Sequence, residues 1–168
     1  MMSPMFESLV VNSLTILADE PDDATAMVWN EAEIQAELEG NEKAIYRLDL
    51  NDKEILLEDI EDLIAYNKIH KVKDFRLDKN EFFDEGVELL AEASALGKLL
   101  TLSLAHNKLS DNAARSLAAS KIIVNLQKLF LQGNQIGVEG VKALVGSDNL
   151  TNLQLLYLNV NPIGPQGA

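Results

Sequence analysis

His70 and His106 are the first residues to weigh for chemistry, because imidazole moves protons near neutral pH and is the commonest metal ligand. They stand far apart in a chain with no cysteine and no HExxH pattern, so the three or four converging ligands of a metal site are not supplied. Zero cysteines also exclude disulfides, structural Cys-zinc sites and thiol catalysis. The carboxylate pairs Asp22-Asp23 and Glu61-Asp62 lie on charged segments, without the apolar surroundings that acid catalysis by a carboxyl requires. Gly133, Gly137 and Gly140 match neither GxGxxG nor a Lys-terminated phosphate loop. Asn149-Leu150-Thr151 is a glycosylation sequon without a secretory signal, a chance match. These residues point to no catalysis, no metal and no cofactor.

The polar residue with a regular spacing is asparagine, and its spacing exposes the elements that must carry it. Asn80, Asn107, Asn134 and Asn161 recur every 27 residues, with Lys53 in the first copy. Three residues before each stands Leu50, Leu77, Leu104, Leu131 or Leu158. Two before those come Leu48, Phe75, Leu102, Leu129 and Leu156, and three earlier again Ile45, Val72, Leu99, Leu126 and Leu153. With Ile55, Phe82, Leu109, Ile136 and Ile163 the unit reads LxxLxLxxNxI. Such self-similarity marks a solenoid, in which no unit buries its apolar face without neighbours.

Two periodicities build each unit. Alternation at Leu129, Phe130 and Leu131 is that of a short strand, with the leucines inward and Phe130 outward. After Gly137, the stripe Val141, Leu144 and Val145 predicts a return helix. Gly86, Gly140 and Gly167 sit at helix starts, where a missing side chain permits close approach; Asp59 and Ala113 replace them in two copies. The recurring Asn has a donor and an acceptor on one short side chain, suited to bonding backbone where the chain leaves the strand. Stacked strand-helix units give a parallel sheet with right-handed crossovers. Packed helices need about 8–10 Å against about 4.8 Å for strands, so the stack curves with the strands on its concave face.

The LxxLxLxxNxI units, the glycines and the helix leucines Leu63, Leu90, Leu117 and Leu144 resemble those of leucine-rich-repeat proteins, specifically the ribonuclease-inhibitor-like subfamily. The resemblance covers about residues 45–168. It implies an α/β solenoid that binds other proteins through its concave face and rims, as inhibitors, sensors, scaffolds, small-GTPase regulators or bacterial effectors do.

The expected organisation is a helical N-terminal cap over residues 1–44, then repeats at 45–71, 72–98, 99–125, 126–152 and a partial one at 153–168. Ser3-Pro4 opens a first helix expected to run to about Ala18, with Met5, Leu9, Val10, Leu14 and Leu17 as its stripe. Trp29 to Leu38 reads as a second, ended by Gly40, with Trp29, Ile34 and Leu38 inward as a cap. The first repeat lies against that cap, which accounts for Lys53 in place of Asn. The fifth copy stops at Ala168 where its helix should begin, leaving Leu156, Leu158 and Ile163 open. The expectation is that the natural chain continues, or that a partner or a second copy covers this end.

Charge bounds the partner. The chain carries −13, placed unevenly: residues 1–71 hold 17 acids and 5 bases, a balance of −12, and the remainder holds 10 acids and 9 bases, or −1. Such a chain repels nucleic acid and anionic membrane and favours a basic partner, although Glu58, Asp59, Glu61, Asp62, Glu85, Glu88 and Glu92 equally suit a solvated convex face. No apolar run reaches the roughly 18 residues of a membrane helix. The first twenty residues contain no Lys or Arg, so a signal-peptide n-region is missing. A cytoplasmic protein, or a bacterial one exported without a recognisable signal, is the expectation.

Repeat registration lists the concave face. One row is Asp49, Arg76, Ser103, Phe130 and Tyr157; the row before it is Arg47, Asp74, Thr101, Lys128 and Leu155; the row after is Asn51, Asp78, Ala105, Gln132 and Asn159. Phe130, Tyr157 and Leu155 have the composition of a binding hot spot. Arg47, Asp49, Asp74, Arg76 and Asp78 form a mixed-charge ladder that serves either sheet pairing or partner recognition. Five strands of about five residues offer on the order of 400 Å², half of the about 800 Å² that a standard interface takes from each partner. Loops around His106, Gly133 and Val160, with Asn159 beside them, must then contribute. A protein partner is expected, with homodimerisation through the open last strand as the rival and small-GTPase regulation as a third reading by analogy.

Overall fold

The computed structural model describes residues 2–17, 45–66 and 68–165. Ser3 caps the first helix, α1 (Pro4–Asn12), its hydroxyl oxygen accepting the Phe6 N–H at 3.2 Å. This helix is shorter than its apolar run predicts. Ser13 closes it with its N–H on Leu9 and Val10 oxygens, and the chain continues as β1 (Leu14–Leu17). The buried face is Phe6, Val10 and Val11, and Met5 is 87% exposed. The reason lies in the first repeat: its strand would otherwise present an unpaired edge, and a run containing Thr15 and Ile16 suits a strand better than a helix. The expected helix from Trp29 to Leu38 lies outside the described residues.

Next come β2 (Ile45–Asp49), α2 (Leu57–Ala65), β3 (Val72–Arg76), α3 (Phe83–Glu92), β4 (Thr101–Ser103), α4 (Asp111–Ala119), β5 (Lys128–Phe130), α5 (Val138–Val145) and β6 (Leu155–Tyr157). The six strands among the described residues form one sheet in chain order, parallel throughout except for antiparallel β1–β2. In the first copy the register shifts between Tyr46 and Arg47, so Tyr46 rather than Ile45 stands opposite Val72.

The core lies between sheet and helices. Leu48, Phe75, Leu102 and Leu129 from the strands meet Leu63, Leu90, Leu117 and Leu144 from the helices, all of them buried. Leu156 and Leu158 pack against this core while partly exposed. In α5 the expected stripe is only partly inward: Leu144 is buried and Val141 half-buried, but Val145 is 74% exposed. Gly140 takes the buried place instead, because a Cβ there would lie 2.5 Å from Asp111 Oδ1 and 3.1 Å from the Ala114 Cβ on the neighbouring helix.

Polar ladders hold the repeats in register. Asn107 Oδ1 accepts the Asn80 and Glu81 N–H groups of the preceding repeat at 2.7 and 2.9 Å, and its Nδ2 donates to Leu77 O at 2.8 Å. Asn80 treats Lys53, Ile55 and Leu50 in the same way. Asn134 repeats the pattern on Asn107, Leu109 and Leu104, and Asn161 on Ile136 and Leu131. Each asparagine thus satisfies the loop of the unit before it. A unit preceded by antiparallel β1 has no such loop to serve, consistent with Lys53.

A second ladder uses carboxylates. Asp84 Oδ1 accepts the Ser110 N–H at 2.8 Å, and Asp111 Oδ1 accepts the Gly137 N–H at 2.6 Å, so the first turn of one helix caps the next. Ser120 and Ser147 hydroxyls donate to Ala91 O and Ala118 O at 2.5 Å, and Asn125 and Asn152 donate to Gly97 O and Val124 O at 2.8 Å. The loop corner two residues after each strand leucine is left-handed: Asp52, Lys79, His106, Gly133 and Val160 have φ of 55–70°. This geometry suits glycine and strains a β-branched residue such as Val160.

Candidate functional site

Parallel pairing brings the outward residues of the strands into rows. Arg47, Asp74, Thr101, Lys128 and Leu155 stand opposite one another in succession, as do Asp49, Arg76, Ser103, Phe130 and Tyr157. Phe130 and Tyr157 stack with ring centroids 5.2 Å apart and planes 12° from parallel. Tyr157 remains 46% exposed, and half-buried Leu155 and Phe130 adjoin it. Stacking holds both rings in place before any partner arrives, which lowers the entropy lost on binding.

At the other end the charges are paired internally. Asp74, buried in the sheet surface, accepts Arg47 Nε at 2.7 Å and Arg76 Nε at 3.2 Å. Asp78 Oδ1 accepts the Ser103 hydroxyl at 2.6 Å and the Ala105 N–H at 2.8 Å, and Asp49 accepts the Asn51 N–H at 3.1 Å. These carboxylates therefore serve the sheet.

Between the two ends lies a depression of about 360 Å³, lined by Arg47, Lys73, Asp74, Arg76, Leu100, Thr101, Gln127, Lys128, Phe130 and Gln154. Its middle lies over the start of β4, where Leu100 and Thr101 stand between the residues of β3 and β5. Registration of the rows does not bring Lys73, Gln127 and Gln154 to notice, since they stand one position ahead of the first row. Their recurrence at intervals of 27 is the signal that could have found them.

His106 is exposed at the loop corner, and its imidazole occupies the space above Gly133, where a Cβ would lie 2.2 Å from Nδ1. Asn159 is exposed in the equivalent turn after β6. Neither lines the depression. His70 lies on a 3-10 turn, Ile69–Lys71. Among the described residues no three His, Cys, Asp or Glu side chains are grouped to hold a metal ion. No helix among them is long and apolar enough to cross a membrane.

Comparisons with known proteins bear on this geometry. A family model described as a leucine-rich repeat matches residues 98–118 and 124–145, which cover most of the third and fourth units. No curated protein matches the chain. Among solved structures, an internalin from Listeria monocytogenes is 26% identical with a TM-score of 0.38, over 61% of this chain and 33% of that one. The chain thus spans about a third of that structure's length. The fixed 27-residue period, the parallel sheet and the returning helices give the chain the fold of a leucine-rich-repeat solenoid.

Proposed function

We propose that this chain is a non-enzymatic protein-binding module of ribonuclease-inhibitor-like geometry, which engages its partner through the concave strand face and the adjoining loops. Leucine-rich repeats generally mediate protein–protein interaction. The observation that carries the reading here is the stacked Phe130–Tyr157 pair, exposed beside Leu155 at one end of a face whose other end is charged. Rigid aromatic anchors next to a polar field are the usual anatomy of an interface with a few dominant residues. A helix returns after each of the first four repeat strands, as that subfamily's geometry requires. A scaffold or an exported effector both fit such a module.

The test is capture from native lysate by the wild-type chain and by a Phe130→Ala/Tyr157→Ala variant. A protein retained by the first and lost by the second, with the circular dichroism of the variant unchanged, supports the reading. Equal retention by both removes the aromatic pair from the interface. Light scattering of the free chain separates this reading from self-association through β6, since a dimer that the double variant dissolves makes the ring pair a contact between copies.

A further inference from the structure

Building on the concave face as the binding surface, the geometry points to an acidic peptide segment as the ligand of its central depression. The lining holds four cations, Arg47, Lys73, Arg76 and Lys128, against one carboxylate, Asp74, in a chain whose net charge is −13. Asp74 is already shared between Arg47 and Arg76. The other carboxylates of the face, Asp49 and Asp78, lie outside the depression and accept hydrogen bonds of their own turns and strands. Lys73 and Lys128 make no ion pair among the described residues. They stand on β3 and β5, two strand spacings or roughly 10 Å apart, with Leu100 and Thr101 of the intervening strand region between them. Two carboxylates of an extended segment at i and i+2 are about 7 Å apart, within reach of both flexible ammonium groups. Thr101, Gln127 and Gln154 add neutral hydrogen-bonding groups, and Phe130 walls the trough on the side of Tyr157. The segment that fits carries two or three acidic residues followed by an aromatic or aliphatic one that packs on the ring pair.

The acidic bulk of the chain narrows the choice. Residues 1–71 carry −12 and repel a long polyanion at a distance, while a short acidic stretch on an otherwise neutral or basic partner meets only the local positive field. This disfavours nucleic acid and selects a protein segment.

A phage-displayed library of random twelve-residue peptides, selected on the full chain, provides the probe. The expected result is a several-fold enrichment of Asp and Glu near an aromatic residue. Synthetic copies of the selected peptides should lose at least tenfold in affinity when Glu becomes Gln. A Lys73→Glu/Lys128→Glu variant should lose at least as much, and its folding should be unchanged because neither lysine is paired. Neutral or basic selected sequences, no enrichment, or indifference to the lysine variant overturn the acidic ligand. If such peptides are nevertheless lost with Phe130→Ala/Tyr157→Ala, the concave face stands as the binding site and only the ligand class falls. Indifference to both variants removes the face as well. A twenty-residue oligothymidylate bound more tightly than the selected peptides also overturns the proposal.

Discussion

Replacing Asn107 by Ala should show how much of the solenoid rests on its asparagine ladder. The side chain is fully buried and serves two donors, the N–H groups of Asn80 and Glu81, and two acceptors, Leu77 O and Ala105 O. Truncation leaves the buried Asn80 N–H and the part-buried Glu81 N–H without partners, and each orphan cut off from water costs roughly 1–3 kcal/mol. Ala105 O keeps the Lys79 N–H at 2.9 Å, so the carbonyl side adds less. The sum is about 3–5 kcal/mol, a large part of the roughly 5–15 kcal/mol that holds a domain folded. Asn161→Ala supplies the comparison. Its Oδ1 accepts the Ile136 N–H in a partly exposed turn, so about 1–2 kcal/mol is expected. Urea unfolding followed by far-UV circular dichroism, with slopes checked for two-state behaviour, measures both. Equal losses, or a loss below about 1 kcal/mol for Asn107→Ala, would refute the claim that each asparagine carries the loop before it. Lys53→Asn is the second check, and no gain is expected because no parallel unit precedes it.

Other outcomes follow from single positions. Val160→Asn should raise stability by about 1 kcal/mol in the same assay, since it relieves a β-branched residue at φ 62° whose side chain is 77% exposed. Gly140→Ala should lower it by about 1–3 kcal/mol by overpacking against Asp111 and Ala114, whereas Gly97→Ala, with its nearest contact at 3.6 Å, should change thermal unfolding little. Asp74→Ala should cost about 1–2 kcal/mol, because the two arginines are partly exposed and can turn to water. It should also strengthen retention of acidic peptides at low salt.

The repeat, its inward leucines, the returning helices and the concave rows were legible because each depends on residues at one fixed spacing. Leu14–Leu17 was not, since the same apolar run satisfies a helix stripe and a strand, and the choice is made by β2, some thirty residues away in sequence. Val145 was misread because a two-turn helix has room for only one buried leucine once Gly140 brings its start against α4. The carboxylate ladder was written in the sequence, Asp84 and Asp111 being 27 apart, but acids on a convex helix read first as solubility. The depression was harder to see: its lining comes from β2 to β5 and the residues just ahead of β4, β5 and β6, a property of neighbours in space.

The cross-repeat side-chain bonds have one further consequence, for how such a chain can change length. They join atoms 25 to 31 residues apart, and each asparagine or carboxylate finds its counterpart in the adjacent unit. A second copy of residues 99–125 spliced in after Asn125 would meet a donor wherever it offers an acceptor, on both sides, and every later bond would re-form unchanged. The two directions of shortening differ. Removing a unit from the N-terminal side idles an asparagine amide that water can satisfy, while removing one from the C-terminal side strips partners from a loop still packed in place. The molecule is therefore a modular rod with a polarity, easier to lengthen in its middle than to trim at its far end.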